Sequence, residues 1–364
     1  MSNGPITFAR GAPSLDIVDV DGLREAADRA LRTDHPGAFA YGTSVGYPPL
    51  REWIADRHGV TPAEVMVTNG SMQADALLFE HLVGEGDAVV VERPTYDRTL
   101  LSLRNRGAVL YAVELEQDGI DVDALAALLQ GGTELRLAHV IPNFQNPAGY
   151  TLSTPKRERL VELAAQHGFT LFEDDPYAEI RFAGDPLPTM LSLDGAGRVI
   201  YASSFSKTVC PGIRVGYLVG SEETIAQLCR MGTETYISPN MVAQAIVHEF
   251  CASGAIDRSI ATVKENLRRR AETLGEALER ELPEARFVVP EGGYFLWVEL
   301  PEEIDVAELD QAATERGVKF VRGTDFMLEG GENALRLAYS GVTPEQIEEG
   351  VKRLAEAART AVRS

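Results

Sequence analysis

The sequence predicts an α/β fold: a mostly parallel sheet covered on both faces by helices, joined to a smaller α+β domain. Three observations predict it. Over the first two-thirds, short apolar runs rich in β-branched residues alternate with amphipathic stretches of helical period. The last third changes to a long charged helix followed by strands and helices in mixed order. Finally, 364 residues of which 45% are hydrophobic can bury a large core and form two domains.

In chain order, residues 65–68 (Val-Met-Val-Thr) form an apolar run too short for a helix, and the turn at Gly70 leads into a helix over 72–83. Strands follow at 88–92 and 109–113, then a helix at 122–129, a strand at 137–141 and a helix at 155–167. Further strands stand at 170–172, 199–202 and 215–219. The last third predicts a long helix over 256–282, a strand at 294–300, a helix at 306–316, strands at 318–321 and 334–339, and a final helix from Pro344. The expected division is a large domain over 42–255 and a small domain built from 1–41 and 256–364. There is no internal repeat or low-complexity linker.

Composition narrows the partners. With 34 basic against 55 acidic residues the net charge is −21, which argues against nucleic acid and anionic membranes. No stretch has the apolar length of a membrane span and residues 1–10 lack a signal-peptide core, so a cytoplasmic protein is expected. Cys210, Cys229 and Cys251 are too few and scattered for a disulfide framework. The six histidines (35, 58, 81, 139, 167 and 248) show no metal-ligand spacing, so no metal is expected and none is assigned a catalytic role.

The chemistry concentrates at Ser203-Ser204-Phe205-Ser206-Lys207, followed seven residues after the lysine by Arg214. The segment lies between two strands. Serine hydroxyls and an arginine fork suit a dianionic phosphate, and a partly desolvated lysine is the residue type that forms Schiff bases. Pyridoxal 5′-phosphate needs both. Two upstream loops, Asn143-Phe144-Gln145-Asn146-Pro147 and Asp174-Asp175-Pro176-Tyr177, also follow strands. In open α/β sheets ligands bind beyond the carboxyl ends of strands, so the three loops are expected to share one site. The turn Asn69-Gly70-Ser71-Met72 opening a helix offers backbone N–H groups and a favourable dipole for an anion, although an ordinary N-cap has the same appearance.

Taken in this order, the motifs resemble those of the fold type I pyridoxal phosphate-dependent enzymes, within the class I and II aminotransferases and closest to the 2-aminoadipate and kynurenine aminotransferases. The resemblance runs from Phe8-Ala9-Arg10-Gly11 to Leu335-Arg336-Leu337-Ala338-Tyr339. It implies that Lys207 carries the cofactor as an internal aldimine, that Asp174 pairs with the ring nitrogen, and that Asn146 and Tyr177 hydrogen-bond the ring hydroxyl. Lys207, Asp174 and Tyr177 are then the catalytic residues. It further implies phosphate contacts from Ser71, Ser204, Ser206 and Arg214, with Met72, where relatives carry glutamine, contributing only its backbone. Tyr96 would stack on the ring. Tyr41 would reach the phosphate in the neighbouring subunit of a homodimer, and the N-terminal segment would pack with the small domain.

Substrate recognition points to Arg336. An arginine inside an apolar strand needs an anionic partner, and the resemblance implies a substrate α-carboxylate, assisted by Asn146 and the backbone at Gly11. Arg10, Arg93 and Arg322 are further candidates for a distal substrate group. The expected function is transfer of an amino group from an L-amino acid to a 2-oxo acid. The competing reading is other chemistry at the α-carbon on the same cofactor, by a lyase, cyclase or oxidase. Two short motifs, Gly42-Thr43-Ser44-Val45-Gly46 and Ser204-Phe205-Ser206-Lys207, match patterns of serine acyl-enzymes. The first lacks a preceding strand and the second lacks its partner motifs, which makes that class remote.

Overall fold

The computed structural model describes residues 4–32 and 36–361; His35, among the histidines considered above, lies outside them. Eight strands form the large sheet, in the order Val65–Thr68, Gly216–Val219, Val199–Ser204, Thr170–Asp174, Leu135–Val140, Ala88–Arg93, Val109–Glu116 and Gly119–Ile120. Gly216–Val219 runs antiparallel to both neighbours and Gly119–Ile120 antiparallel to Val109–Glu116; the other pairings are parallel.

Alternation along each strand explains why both faces carry helices. Val65 and Val67 pack in a core with Ala26, Leu50 and Met241, whereas Met66 between them packs with Leu78 and Phe79. Val90 likewise turns from the face used by Val89 and Val91. Side chains that alternate with period two but are apolar at every position require two covered faces. Helices Val20–Arg32, Pro48–His58, Asp97–Asn105, Glu222–Thr235 and Met241–Ala252 supply part of that cover and are absent from the sequence reading. Helix Val20–Arg32, from the segment that reading groups with the small domain, places Ala26 and Ala30 in the core shared with Met241 and the strand Val65–Thr68.

A second, antiparallel sheet has the order Arg286–Phe287, Phe295–Glu299, Ala334–Ala338, Val321–Arg322. The strand expected over 318–321 divides in two. Val318–Lys319 pairs in parallel with Ile6–Thr7, and Val321–Arg322 joins Ala334–Ala338. The buried ring of Phe320 marks the change of sheet. Helix Ala255–Glu281 buries Val263, Leu267, Leu274 and Leu278, spaced on one helical face, against this second core.

The loop that carries Asn146 is held by Arg157. This fully buried guanidinium donates to the carbonyls of Leu152 (2.9 Å), Pro188 (2.9 Å) and Pro142 (3.1 Å) and to Asn143 Oδ1 (2.9 Å). Its planar fork satisfies acceptors in several directions, which an ammonium cannot reproduce. Arg157→Met should lower the unfolding free energy by about 3–5 kcal/mol in urea denaturation, with Arg157→Lys recovering little of it.

Candidate active site

The parallel strands end together on one side of the sheet. Asp174 is the last residue of Thr170–Asp174 and Ser204 the last of Val199–Ser204, while Tyr96 and Asn146 follow the strands ending at Arg93 and Val140. Above them lies a cavity of about 530 Å3 whose wall includes Lys207, Asp174, Tyr177, Tyr96, Asn146 and Arg336, together with Ser71, Met72 and Gly11. Residues singled out at widely separated points of the sequence therefore meet in one space.

Lys207 Nζ donates to the Gly11 carbonyl at 3.0 Å and stands 5.5 Å and 4.9 Å from the ring centres of Tyr177 and Tyr294. Burial first, then the charges of Arg336 and Arg214, push its pKa down to about 8, against the opposing pull of Asp174. The amine is thus much closer to its neutral, nucleophilic form than a solvated lysine. Asp174 is buried, with Oδ2 3.4 Å from His139 Nε2 and Oδ1 without a hydrogen-bond partner among the described residues. His139, set aside in the sequence, is thereby placed behind this carboxylate; its position on the strand adjacent to Thr170–Asp174 was the available signal. Tyr177 packs edge-on against Phe295, and burial raises its phenol well above the ordinary range. The half-buried Tyr96 phenol is pushed up to about 12, by burial first and then by Asp97 and Asp174.

Arg336 is 7% exposed. Nη1 donates to Asn146 Oδ1 at 2.9 Å and Nη2 to the Ala9 carbonyl at 2.7 Å, while the guanidinium lies 4.3 Å and 4.8 Å from the Phe295 and Phe326 ring centres. Its Nε has no partner, and among the described residues no carboxylate lies within ion-pair distance. Burial pushes its pKa down. The anion that such a site calls for is not supplied by these residues, which leaves a place for one from outside.

Beside this wall stands a cradle. Arg214 adopts a left-handed backbone (φ 50°, ψ 49°) and its guanidinium reaches Ser206 Oγ and the Asn69 carbonyl, both at 3.5 Å. Among the described residues it has no carboxylate partner, and a non-glycine residue in this conformation is strained. Two glycines permit the approach. A Cβ on Gly70 would lie 2.3 Å from Arg214 Nη2, and one on Gly216 would lie 2.6 Å from the Ser71 backbone nitrogen. The free N–H groups at the start of helix Ser71–Leu82 and the arginine fork therefore converge where an added methyl would block them. Together with the unpartnered Asp174 Oδ1 and the desolvated Lys207, this donor set fits a phosphorylated pyridine aldehyde.

Other placements differ from the sequence reading. Ser204 does not line the cavity: its Oγ lies 3.4 Å from the Val215 carbonyl and accepts the Ser206 N–H at 3.1 Å, closing its own loop. Tyr41 is 88% exposed and lies away from the cavity of its own chain. Arg10 lines the cavity, whereas Arg93 pairs with Glu114 at 2.5 Å and Arg322 approaches Asp325 at 3.9 Å, both outside it. Arg98, Asp75 and Phe326 are lining residues that the sequence did not single out. Ser44 is buried and its Oγ donates to the Cys229 carbonyl at 2.7 Å, an arrangement unsuited to an exposed nucleophile.

The family model for aminotransferases of class I and II matches residues 5–354. The chain belongs to that family, pyridoxal phosphate-dependent enzymes of fold type I. It is 36% identical to a 2-aminoadipate transaminase of Thermus thermophilus, over 97% of this chain and 90% of the relative. It is 34% identical to aromatic-amino-acid aminotransferase 1 of Thermococcus litoralis, over 96% and 87%. The crystal structure of an α-aminoadipate aminotransferase from Thermus thermophilus, complexed with N-(5′-phosphopyridoxyl)-L-leucine, superposes with a TM-score of 0.93 at 35% identity and covers 98% of this chain and 93% of that one. Among the described residues no helix is long and apolar enough to cross a membrane, and no group of residues suits a metal ion.

Buried acids surround the site and give stability a pH dependence. Burial pushes Glu92 and Glu173 up to about 8 and Asp175 up to about 7. These groups bind protons more tightly folded than unfolded, so their contribution is fully present below the unfolded carboxylate range and is lost as pH rises through about 7–8. Lys207, shifted down, acts in the opposite sense only above about 8. The cofactor-free protein should therefore lose Tm between about pH 6 and 8, and Glu92→Gln should flatten that decline in a thermal-melt series.

Proposed function

We propose that this cavity transfers an amino group between an L-amino acid and a 2-oxo acid, with Lys207 as the cofactor-holding amine and general base. The observation that carries it is the pairing, in one cavity, of a desolvated lysine with a buried arginine that has no carboxylate partner among the described residues. Pyridoxal 5′-phosphate, when bound, supplies an aldehyde for amines and a ring that accepts the electron pair released from a substrate Cα–H bond.

Asp174 would keep the ring nitrogen protonated, with His139 behind it fixing the carboxylate. Asn146 and Tyr177 would hold the ring hydroxyl, and Tyr96 would cover one ring face. Ser71, the Met72 backbone, Ser204, Ser206 and Arg214 would take the phosphate, with the Ser204 hydroxyl also ordering Ser206 by accepting its N–H. Arg336, braced by Asn146, would bind the α-carboxylate and fix the substrate so that its Cα–H faces Lys207. Released by the substrate amine, Lys207 Nζ would take the Cα proton and later return it, a role suited to an amine whose pKa lies near 8.

The exposed Tyr41, with Phe39 57% and Leu31 55% exposed nearby in sequence, supports a homodimer in which Tyr41 serves the partner's phosphate cradle.

The test is a half-reaction. Protein loaded with pyridoxal phosphate is mixed with single amino acids, and the yellow cofactor absorbance and 2-oxo acid product are followed. One oxo acid per site, loss of the yellow band, and its return on adding 2-oxoglutarate or another acceptor are expected. Lys207→Ala should lower turnover by at least about a thousandfold. Product formed catalytically without an acceptor would move the assignment to another reaction at the α-carbon.

A further inference from the structure

One buried carboxyl on the cavity wall has no task in this scheme. Asp75 lies one turn after Ser71 on helix Ser71–Leu82, so the two side chains share a helix face. It is 4% exposed, lines the cavity with Asp174 and Tyr96, and its Oδ1 has no hydrogen-bond partner among the described residues. The neighbouring buried acids are served by protein donors. Glu92 accepts from the Ile141 N–H and Gln145, Glu173 from the N–H groups of Met190 and Leu191, and Asp175, which lies outside the cavity wall, accepts from Asn143 at Oδ2 while its Oδ1 has no partner among the described residues.

Asp174 Oδ1 is buried and unpartnered in the same way as Asp75 Oδ1. Two acceptor oxygens in one cavity require two donors. A protonated ring nitrogen brings one N–H. A proton retained on Asp75 is the second, because it turns an acceptor-only carboxylate into an O–H donor and removes the repulsion between like charges. Burial, and then the Asp174 charge, both push the Asp75 pKa upward, which favours that proton.

We propose that Asp75 is a positioning residue for the bound cofactor: as a neutral acid it donates its O–H within the Asp75–Asp174 pair and leaves Asp174 as the single charge facing the ring nitrogen. The assignment rests on the reading of Asp174 given above. The proton count balances, since the pair holds one proton throughout and the ring nitrogen keeps its own. An amide at position 75 also donates and preserves the arrangement; an apolar side chain does not. A carboxyl kept for this purpose disfavours folding of the cofactor-free protein, whereas a structural carboxyl would favour it.

The experiment compares wild type, Asp75→Leu and Asp75→Asn, measuring the Kd for pyridoxal phosphate by absorbance titration, the spectrum of the bound cofactor, and the Tm of the cofactor-free protein. Asp75→Leu should weaken cofactor binding about tenfold or more, shift the visible absorption band, and raise the cofactor-free Tm. Asp75→Asn should bind within about threefold of wild type with an unshifted band. Wild-type affinity in Asp75→Leu, a loss in Asp75→Asn equal to that in Asp75→Leu, or a lowered cofactor-free Tm in Asp75→Leu would each overturn the proposal. A wild type that binds no pyridoxal phosphate would instead remove the reading of the site on which it rests.

Discussion

Two cations, Lys207 and Arg336, share one cavity, and among the described residues neither has a carboxylate within ion-pair distance. Much of the site can be understood from that constraint. Burial first, then the charges of Arg336 and Arg214, bring the lysine toward its neutral form, while burial leaves the charge of Arg336 poorly solvated and so favours an incoming anion. Asp174 supplies the opposing charge at the base of the cavity, and its free oxygen leaves that charge available to a ligand. The neutral carbonyls of Gly11 and Ala9 meet the two cations without quenching them.

The scaffold holds this unfavourable grouping through backbone geometry. Parallel strands deliver Asp174 and the lysine loop to the same side of the sheet, and the antiparallel strand Gly216–Val219 returns past the start of helix Ser71–Leu82 at a distance only glycine allows. Arg336 arrives from the second sheet, and its contacts with Asn146 and Ala9 tie that sheet to the large one and to the N-terminal segment. Arg157, buried beneath the 142–152 loop that carries Asn146, anchors that loop at Pro142, Asn143 and Leu152. Reactive groups are thus held in place by residues that do no chemistry themselves.

Much of this was legible in the sequence because the motif residues lie next to strand ends. Lys207, Asp174 and Asn146 each sit within a few residues of an apolar run, so the strand ends suggested one shared site, and the resemblance of the motifs to the family supplied the individual roles. Spacing alone does not show that the Ser204 hydroxyl also bonds within its own loop, to the Val215 carbonyl and the Ser206 N–H. Helix Val20–Arg32 was missed because its buried face is Gly22, Ala26 and Ala30, small residues that do not stand out as an apolar stripe. Residues 318–321 read as one strand because no pattern in so short a run shows that the chain changes sheet at Phe320. Asp75 drew no attention and His139 was assigned no role, since their importance comes from what faces them across the fold, which a linear pattern does not encode.

The central claim is that Lys207, and no other lysine, holds the cofactor. The chain has four others, Lys156, Lys264, Lys319 and Lys352. Lys156 is held charged by Glu116 and Asp118, opposite in sense to Lys207. Borohydride reduction of the pyridoxal phosphate-loaded protein, followed by proteolysis and mass spectrometry, tests this directly. A phosphopyridoxyl group on the peptide containing Lys207, at one per chain, is the predicted result. Its appearance on any of the other four lysines, with Lys207 unmodified, would contradict the account.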